Sequence, residues 1–221
     1  MALFALGFFL NVLPPEQAVA TVVVLSVVGG FQGTWEVRGA VRDNPRRLAR
    51  FLLPSLVGIP LGVMTLQLID ARTLKLVIGF FLILYGGYFS LRRALPNLTR
   101  PTPAIDMGVG FSGGVLGGAA ALSGALPTMW CAMRAWPKEE TRAVLQPYNL
   151  VVLLLTALLL AAKGAYTSGV LLGIAAALPV SLSFFQLGLA VFRRLPDAAF
   201  RRLLVALSFV SGAVLLMREL L

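Results

Sequence analysis

Residues 110–131 read GFSGGVLGGAAALSGALPTMWC. Seven glycines fall between Gly108 and Gly124, and Pro127 follows, in a stretch otherwise apolar enough to lie within a membrane. In a helix, glycine costs about 1 kcal/mol relative to alanine and proline about 3 kcal/mol. So many without compensation would not remain one plain helix. The stretch must pack very closely on a neighbour, or break.

The rest of the chain supplies the setting. Of its 221 residues 58% are hydrophobic and only 13% charged, and the mean hydropathy is +0.88. These values exclude a soluble globular domain and predict an all-α polytopic membrane protein. Apolar segments near the length of about 20 residues that a crossing requires lie at 17–35, 51–69, 74–91, 107–129, 143–162, 166–192 and 203–217. Apart from Lys75, none holds a charge. Met1 to Leu13 is too short to cross and lacks the basic front and small-residue cleavage site of a signal peptide.

The net charge of +10 would point to nucleic acid in a soluble protein. Here the basic residues stand between spans, where they set orientation and touch anionic membrane lipid, so no nucleic-acid partner is expected. One cysteine, Cys131, and no histidine exclude an intramolecular disulfide, histidine-ligated metals and histidine catalysis. No cofactor, metal site or catalytic residue is expected, and Cys131 reads as a small buried apolar residue.

An internal repeat is visible. Residues 58–87 lie over 184–213, so that Leu61, Gly62, Asp70, Ala71 and Leu76 meet Leu187, Gly188, Asp197, Ala198 and Leu203. LPPEQ at 13–17 lies over WPKEE at 136–140. Internal repeats are the common build of secondary transporters, and they divide this chain into 1–104 and 105–221. At the same offset the glycine-rich stretch has no counterpart, because it would fall before residue 1. The first repeat therefore lacks its glycine-rich opening, Met1 to Leu13 matches Pro127 to Trp136, and the expectation is a chain that starts late.

Charge placement decides how residues 105–142 cross. If 107–129 spans once, Arg38, Arg42, Arg46, Arg47, Arg50, Arg92, Arg93, Arg100, Lys163 and Arg218 share one side, ten of the nineteen basic residues. If 105–142 instead enters and returns, Arg134, Lys138, Arg142, Arg193, Arg194, Arg201 and Arg202 join the first eight, leaving four opposite. The excess of lysine and arginine on cytoplasmic loops favours the re-entrant hairpin. The two halves then run in opposite senses, an inverted two-repeat bundle with broken or re-entrant helices.

Gly110, Gly114 and Gly118, like Gly113 and Gly117, stand at the four-residue spacing that lets helix backbones touch in lipid. That packing leaves SGALPT at 123–128 unexplained, and a break near Gly124 to Pro127 is expected there. Freed backbone groups in a bilayer must be buried in protein or line a watery cavity. N–H groups at a half-helix start bind anions without a charged side chain.

The candidate substrate-binding residues are Ser123, Gly124, Ala125, Pro127 and Thr128, with Gln146 and Asn149 on the following span and Gln32 on the first. Each polar side chain has a plainer alternative, an interhelical hydrogen bond of about 0.6 kcal/mol. Thr34 shares the end of the first span, and Ser181, Ser183 and Gln186 are weaker candidates. Trp130 and Trp136 read as interface anchors. Arg134 and Arg142 either steer anions to the mouth or stand as solvated charges that set topology.

GGVLGGAAALSGALPTMWCAMRAWPKEETRAVLQPYN at 113–149, followed by an apolar span, resembles the second-repeat motif of the TauE/SafE family of membrane transporters. LVGIPLG at 56–62 and VFRRLPDAAFRRL at 191–203 resemble matching segments. The resemblance implies a multi-pass transporter of the cell inner membrane that moves small sulfur-containing anions, such as sulfite or organosulfonates, by alternating access; a homo-oligomer is compatible with it. The chain departs from the family in lacking the first glycine-rich opening and in carrying Ala121 and Ala125 where more glycine is usual.

Two rivals from other classes are a small polytopic enzyme of lipid metabolism and a structural membrane subunit without transport. The enzyme needs a base, a nucleophile or a phosphate-gripping cluster near the bilayer surface. The sequence offers none.

Overall fold

The computed structural model describes residues 13–43, 45–68, 101–134, 136 and 138–194, with isolated positions elsewhere. Its elements are all helices: α1 (Pro15–Glu36), α2 (Arg38–Asp43), α3 (Pro45–Leu68), α4 (Pro103–Ala120), α5 (Ala125–Ala132), α6 (Lys138–Ala162) and α7 (Ser168–Arg194). Among the described residues, four stretches are long and apolar enough to cross a membrane: Pro15–Trp35, Pro45–Leu66, Glu140–Ala162 and Ser168–Leu187. The protein is an all-α polytopic membrane protein. The expected spans at 74–91 and 203–217, and the match of Met1 to Leu13 with Pro127 to Trp136, lie outside the described residues apart from isolated positions.

Packing registers give the helix directions. α1 runs antiparallel to α6: Gly30 packs on Leu150, Gly33 on Gln146, and near the far end the Tyr166 phenol donates to the Ala20 carbonyl at 3.5 Å. Tyr166 lies between α6 and α7, and burial pushes its pKa up to about 12, so it stays a neutral donor. α3 and α4 run parallel with a constant offset, Gly110 against Phe51, Gly114 against Ser55 and Gly118 against Ile59. α4 also runs parallel to α6, Gly113 against Tyr148 and Gly117 against Val152.

The glycines make the α3/α4 contact possible. A Cβ on Gly114 would lie 2.7 Å from the Ser55 carbonyl oxygen and one on Gly118 2.5 Å from that of Ile59, while Gly58 and Gly62 meet the α4 backbone from the other side. Such backbone contact gains dispersion energy that lipid tails cannot offer. Packing is therefore what Gly110, Gly114 and Gly118 do. Tyr148 closes the third side: its hydroxyl donates to the Gly110 carbonyl at 2.7 Å, and its ring meets Phe51 edge-on at 6.5 Å.

The starts of α3, α4 and α6 gather at one end of the bundle with the end of α1, tied there by an ion pair between Arg47 and Glu140. Arg38, Arg42, Arg46 and Arg50 are exposed on the elements at this end. The end is strongly basic.

Candidate functional site

α4 stops where one residue turns left-handed. Ala121 has φ 56° and ψ 22°, a conformation costing a non-glycine residue about 1–2 kcal/mol. Its N–H donates to the Gly117 carbonyl at 3.0 Å, and the Leu122 N–H reaches back to Leu116 at 3.1 Å. Ser123 and Gly124 complete the turn, and α5 begins at Ala125.

The chain then retraces its path. Gly117 faces Ser123, Gly113 faces Pro127, Asp106 binds Trp130, and Thr102 binds Arg134. These partners climb one limb as they descend the other, so α4 and α5 form a hairpin with both ends at the basic end. The expected break near Gly124 to Pro127 is corrected on one point: it lies at Ala121 to Gly124. Pro127 stands in the first turn of α5, where the N–H it lacks would have no helical acceptor anyway. Its ring packs against Gly113.

At the tip, the buried Ser123 hydroxyl donates to Asn149 Oδ1 at 3.1 Å. The Asn149 amide lies so close on Gly124 that an added Cβ would stand 2.8 Å from Nδ2. One turn earlier on α6, Gln146 lies over Gly33, where a Cβ would stand 2.6 Å from Oε1. The hydroxyl of Thr34, the next residue on α1, is buried without a hydrogen-bond partner. The hairpin tip and α6 thus bring together Ser123, Gly124 and Asn149, while Gln146, one turn away on α6, meets the end of α1. Ala125 and Thr128 are half-buried on α5. Gln32 turns elsewhere and accepts a 3.1 Å hydrogen bond from the Gln186 amide of α7.

The open end of the hairpin is clasped by charge. Arg134 and Asp106 pair at 2.9 Å with side chains only 3% exposed. Trp130 Nε1 donates to the same Asp106 oxygen at 2.7 Å, and Arg134 also donates to Thr102 Oγ1. The guanidinium lies 4.7 Å from the Trp130 ring centroid, and that of Arg47 lies 4.4 Å from the Trp136 ring centroid. Both sequence readings of Arg134 are therefore corrected: it neither steers from solvent nor stands solvated, because its side chain is buried and paired with Asp106.

Trp130 and Trp136 serve the clasp rather than simply anchoring the interface. Sequence reasoning missed Asp106 and Tyr148. For Asp106 a signal existed, since it is the only acidic residue between Asp70 and Glu139. Among the described residues no three histidine, cysteine or acidic side chains gather as metal ligands would. Cys131 is buried.

A glycine-lined hairpin thus lies among the membrane helices, with Ser123 and Asn149 meeting at its tip. The sequence profile described as Sulfite exporter TauE/SafE matches residues 1–215. The chain belongs to the TauE/SafE family. Membership makes it a membrane transporter of the sulfite and anion exporter type. No curated protein and no solved structure matches the chain.

Proposed function

We propose that the protein carries small anions, sulfur oxyanions such as sulfite or organosulfonates among them, across the cell inner membrane by alternating access, with the substrate seated at the hairpin tip. The observation that carries this reading is the meeting of a broken backbone, Ala121 to Gly124, with the Asn149 amide. The Ala125 and Thr128 N–H groups are bonded to the Leu122 and Gly124 carbonyls and Pro127 has none, so the backbone N–H groups of Ser123, Gly124 and Leu126 form the cradle, with Ser123, Thr128, Gln146 and Asn149 as polar partners. Ala125 and Pro127 shape the same turn, while Gln32 is held by Gln186 of α7.

Two groups of helices provide the motion. α3 and the α4–α5 hairpin are joined backbone to backbone through their glycines, whereas α1, α6 and α7 pack through side chains. The tip lies at the seam between the groups. Rocking there exposes it to one side and then the other. The antiparallel packing of α1 against α6 supports repeats at 1–104 and 105–221 of inverted sense, since these two helices are equivalent in the sequence repeat. The basic end faces the cytoplasm by the distribution of arginine.

The test replaces Gly124 by leucine, which drives a side chain into Asn149. The expected outcome is loss of anion flux in proteoliposomes with membrane insertion intact. Unchanged flux in the inserted variant refutes the site.

A further inference from the structure

We infer that the tip site, taken as the substrate site on the reading above, selects oxyanions carrying one negative charge and turns away those carrying two. Among the described residues, what lies at the tip is neutral: the Ser123 hydroxyl, the Asn149 amide and the Gly124 backbone, with the Gln146 amide one turn away on α6, over Gly33. Thr34, next to Gly33 on α1, has a buried hydroxyl that makes no hydrogen bond. Such a hydroxyl is a donor awaiting an acceptor.

Among the described residues, the cations nearest the tip are committed or distant. Arg134 stands at the opposite end of the hairpin, paired with Asp106. Arg47 is paired with Glu140 at the basic end. Arg142 shares a face of α6 with Gln146 and Asn149 but precedes Asn149 by about 10 Å of helix, at 1.5 Å per residue. It belongs to the mouth.

Neutral dipoles discriminate by charge. Doubling the charge of a bound ion doubles its attraction to fixed dipoles, whereas the cost of removing it from water grows with the square of the charge. Arginine or lysine in direct contact is a common answer to this cost. Here hydrogensulfite and alkanesulfonates fit, and sulfate and fully ionised sulfite do not.

Sulfite makes the inference testable, because it exchanges between monoanion and dianion near neutral pH. The chain has no histidine, so it lacks the side chain whose ordinary pKa would put a titration of its own in that range. The full chain in proteoliposomes is assayed with methanesulfonate, sulfite and sulfate from mildly acidic to mildly alkaline pH. Methanesulfonate flux is expected to stay level with pH, sulfite flux to fall as the dianion forms, and sulfate to move about tenfold more slowly or less.

Sulfate flux equal to methanesulfonate flux, or sulfite flux level across the range, overturns the charge selection while leaving the transport reading in place. Absence of flux for every anion overturns the transport reading itself. In the same assay Gln146→Arg, which sets a guanidinium beside Gly33, is expected to narrow the gap between sulfate and methanesulfonate. An unchanged gap in correctly inserted variant protein also counts against the inference.

Discussion

Asp106 and Arg134, 28 residues apart in the chain, form a 2.9 Å ion pair sealed from solvent on both sides. One residue opens the hairpin and the other closes it, so the pair fastens its two limbs together. Removing one partner leaves an uncompensated buried charge, at a cost of about 3–5 kcal/mol. Asp106→Asn should therefore lower the thermal unfolding temperature of the detergent-solubilised protein sharply. The double variant Asp106→Leu/Arg134→Met should recover much of the loss. A double variant no better than the worse single one would contradict the pairing.

The Arg47–Glu140 pair provides a contrast at the same end of the bundle. Its side chains are 29% and 32% exposed, and pairs of this kind contribute about 0–1 kcal/mol. Glu140→Gln should shift the unfolding temperature only slightly, and the shift should shrink further in high salt.

Glycines in one helix should differ sharply in tolerance. A methyl at Gly114 would press on Ser55, whereas one at Gly108 would meet nothing within 4 Å. Gly114→Ala should destabilise by about 1–3 kcal/mol, as overpacking does. Gly108→Ala should be neutral or stabilising by up to about 1 kcal/mol from helix propensity. Comparing the two variants by thermal unfolding checks this, and equal effects would count against the α3/α4 contact.

At Ala121, glycine relieves a left-handed strain of about 1–2 kcal/mol but removes a buried methyl worth about 0.8 kcal/mol. Ala121→Gly should be neutral to mildly stabilising. A β-branched side chain fits this conformation badly, so Ala121→Val should destabilise strongly. Thermal unfolding of the two variants reads the sign of each.

At the tip, Asn149→Asp places a negative charge beside Gly124 with almost no change of shape. If the tip holds an anion, flux should fall by about tenfold or more, the effect of roughly 1.4 kcal/mol, while insertion remains normal. Unaltered kinetics in that variant would move the substrate elsewhere.

The hairpin was legible in the sequence because charge placement speaks about whole segments: the arginines of 134–142 fit the other basic loops only if residues 105–142 return. The structure closes that hairpin, with Thr102 and Arg134 in contact. The glycine stretch was half legible. Four-residue spacing announced close packing, but spacing alone does not say which helix is the partner. The turn itself was masked by alanine, because nothing in the composition marks Ala121 as the residue that turns left-handed. The Asp106 partnership was hidden for a different reason. It exists only after the hairpin closes, across a separation that no helical periodicity spans.

Where α4 ends and α5 begins, two helix dipoles meet head on. The carbonyl end of α4 carries partial negative charge and the amide end of α5 partial positive charge, each about half an elementary charge, with only Ala121 to Gly124 between them. Part of the attraction that α5 offers an anion is cancelled by its own partner limb. A storage protein would be poorly served by such a site. A carrier has to release its cargo on the far side, and if the anion sits at the tip, a grip weakened at its source would keep the dwell time of each ion short.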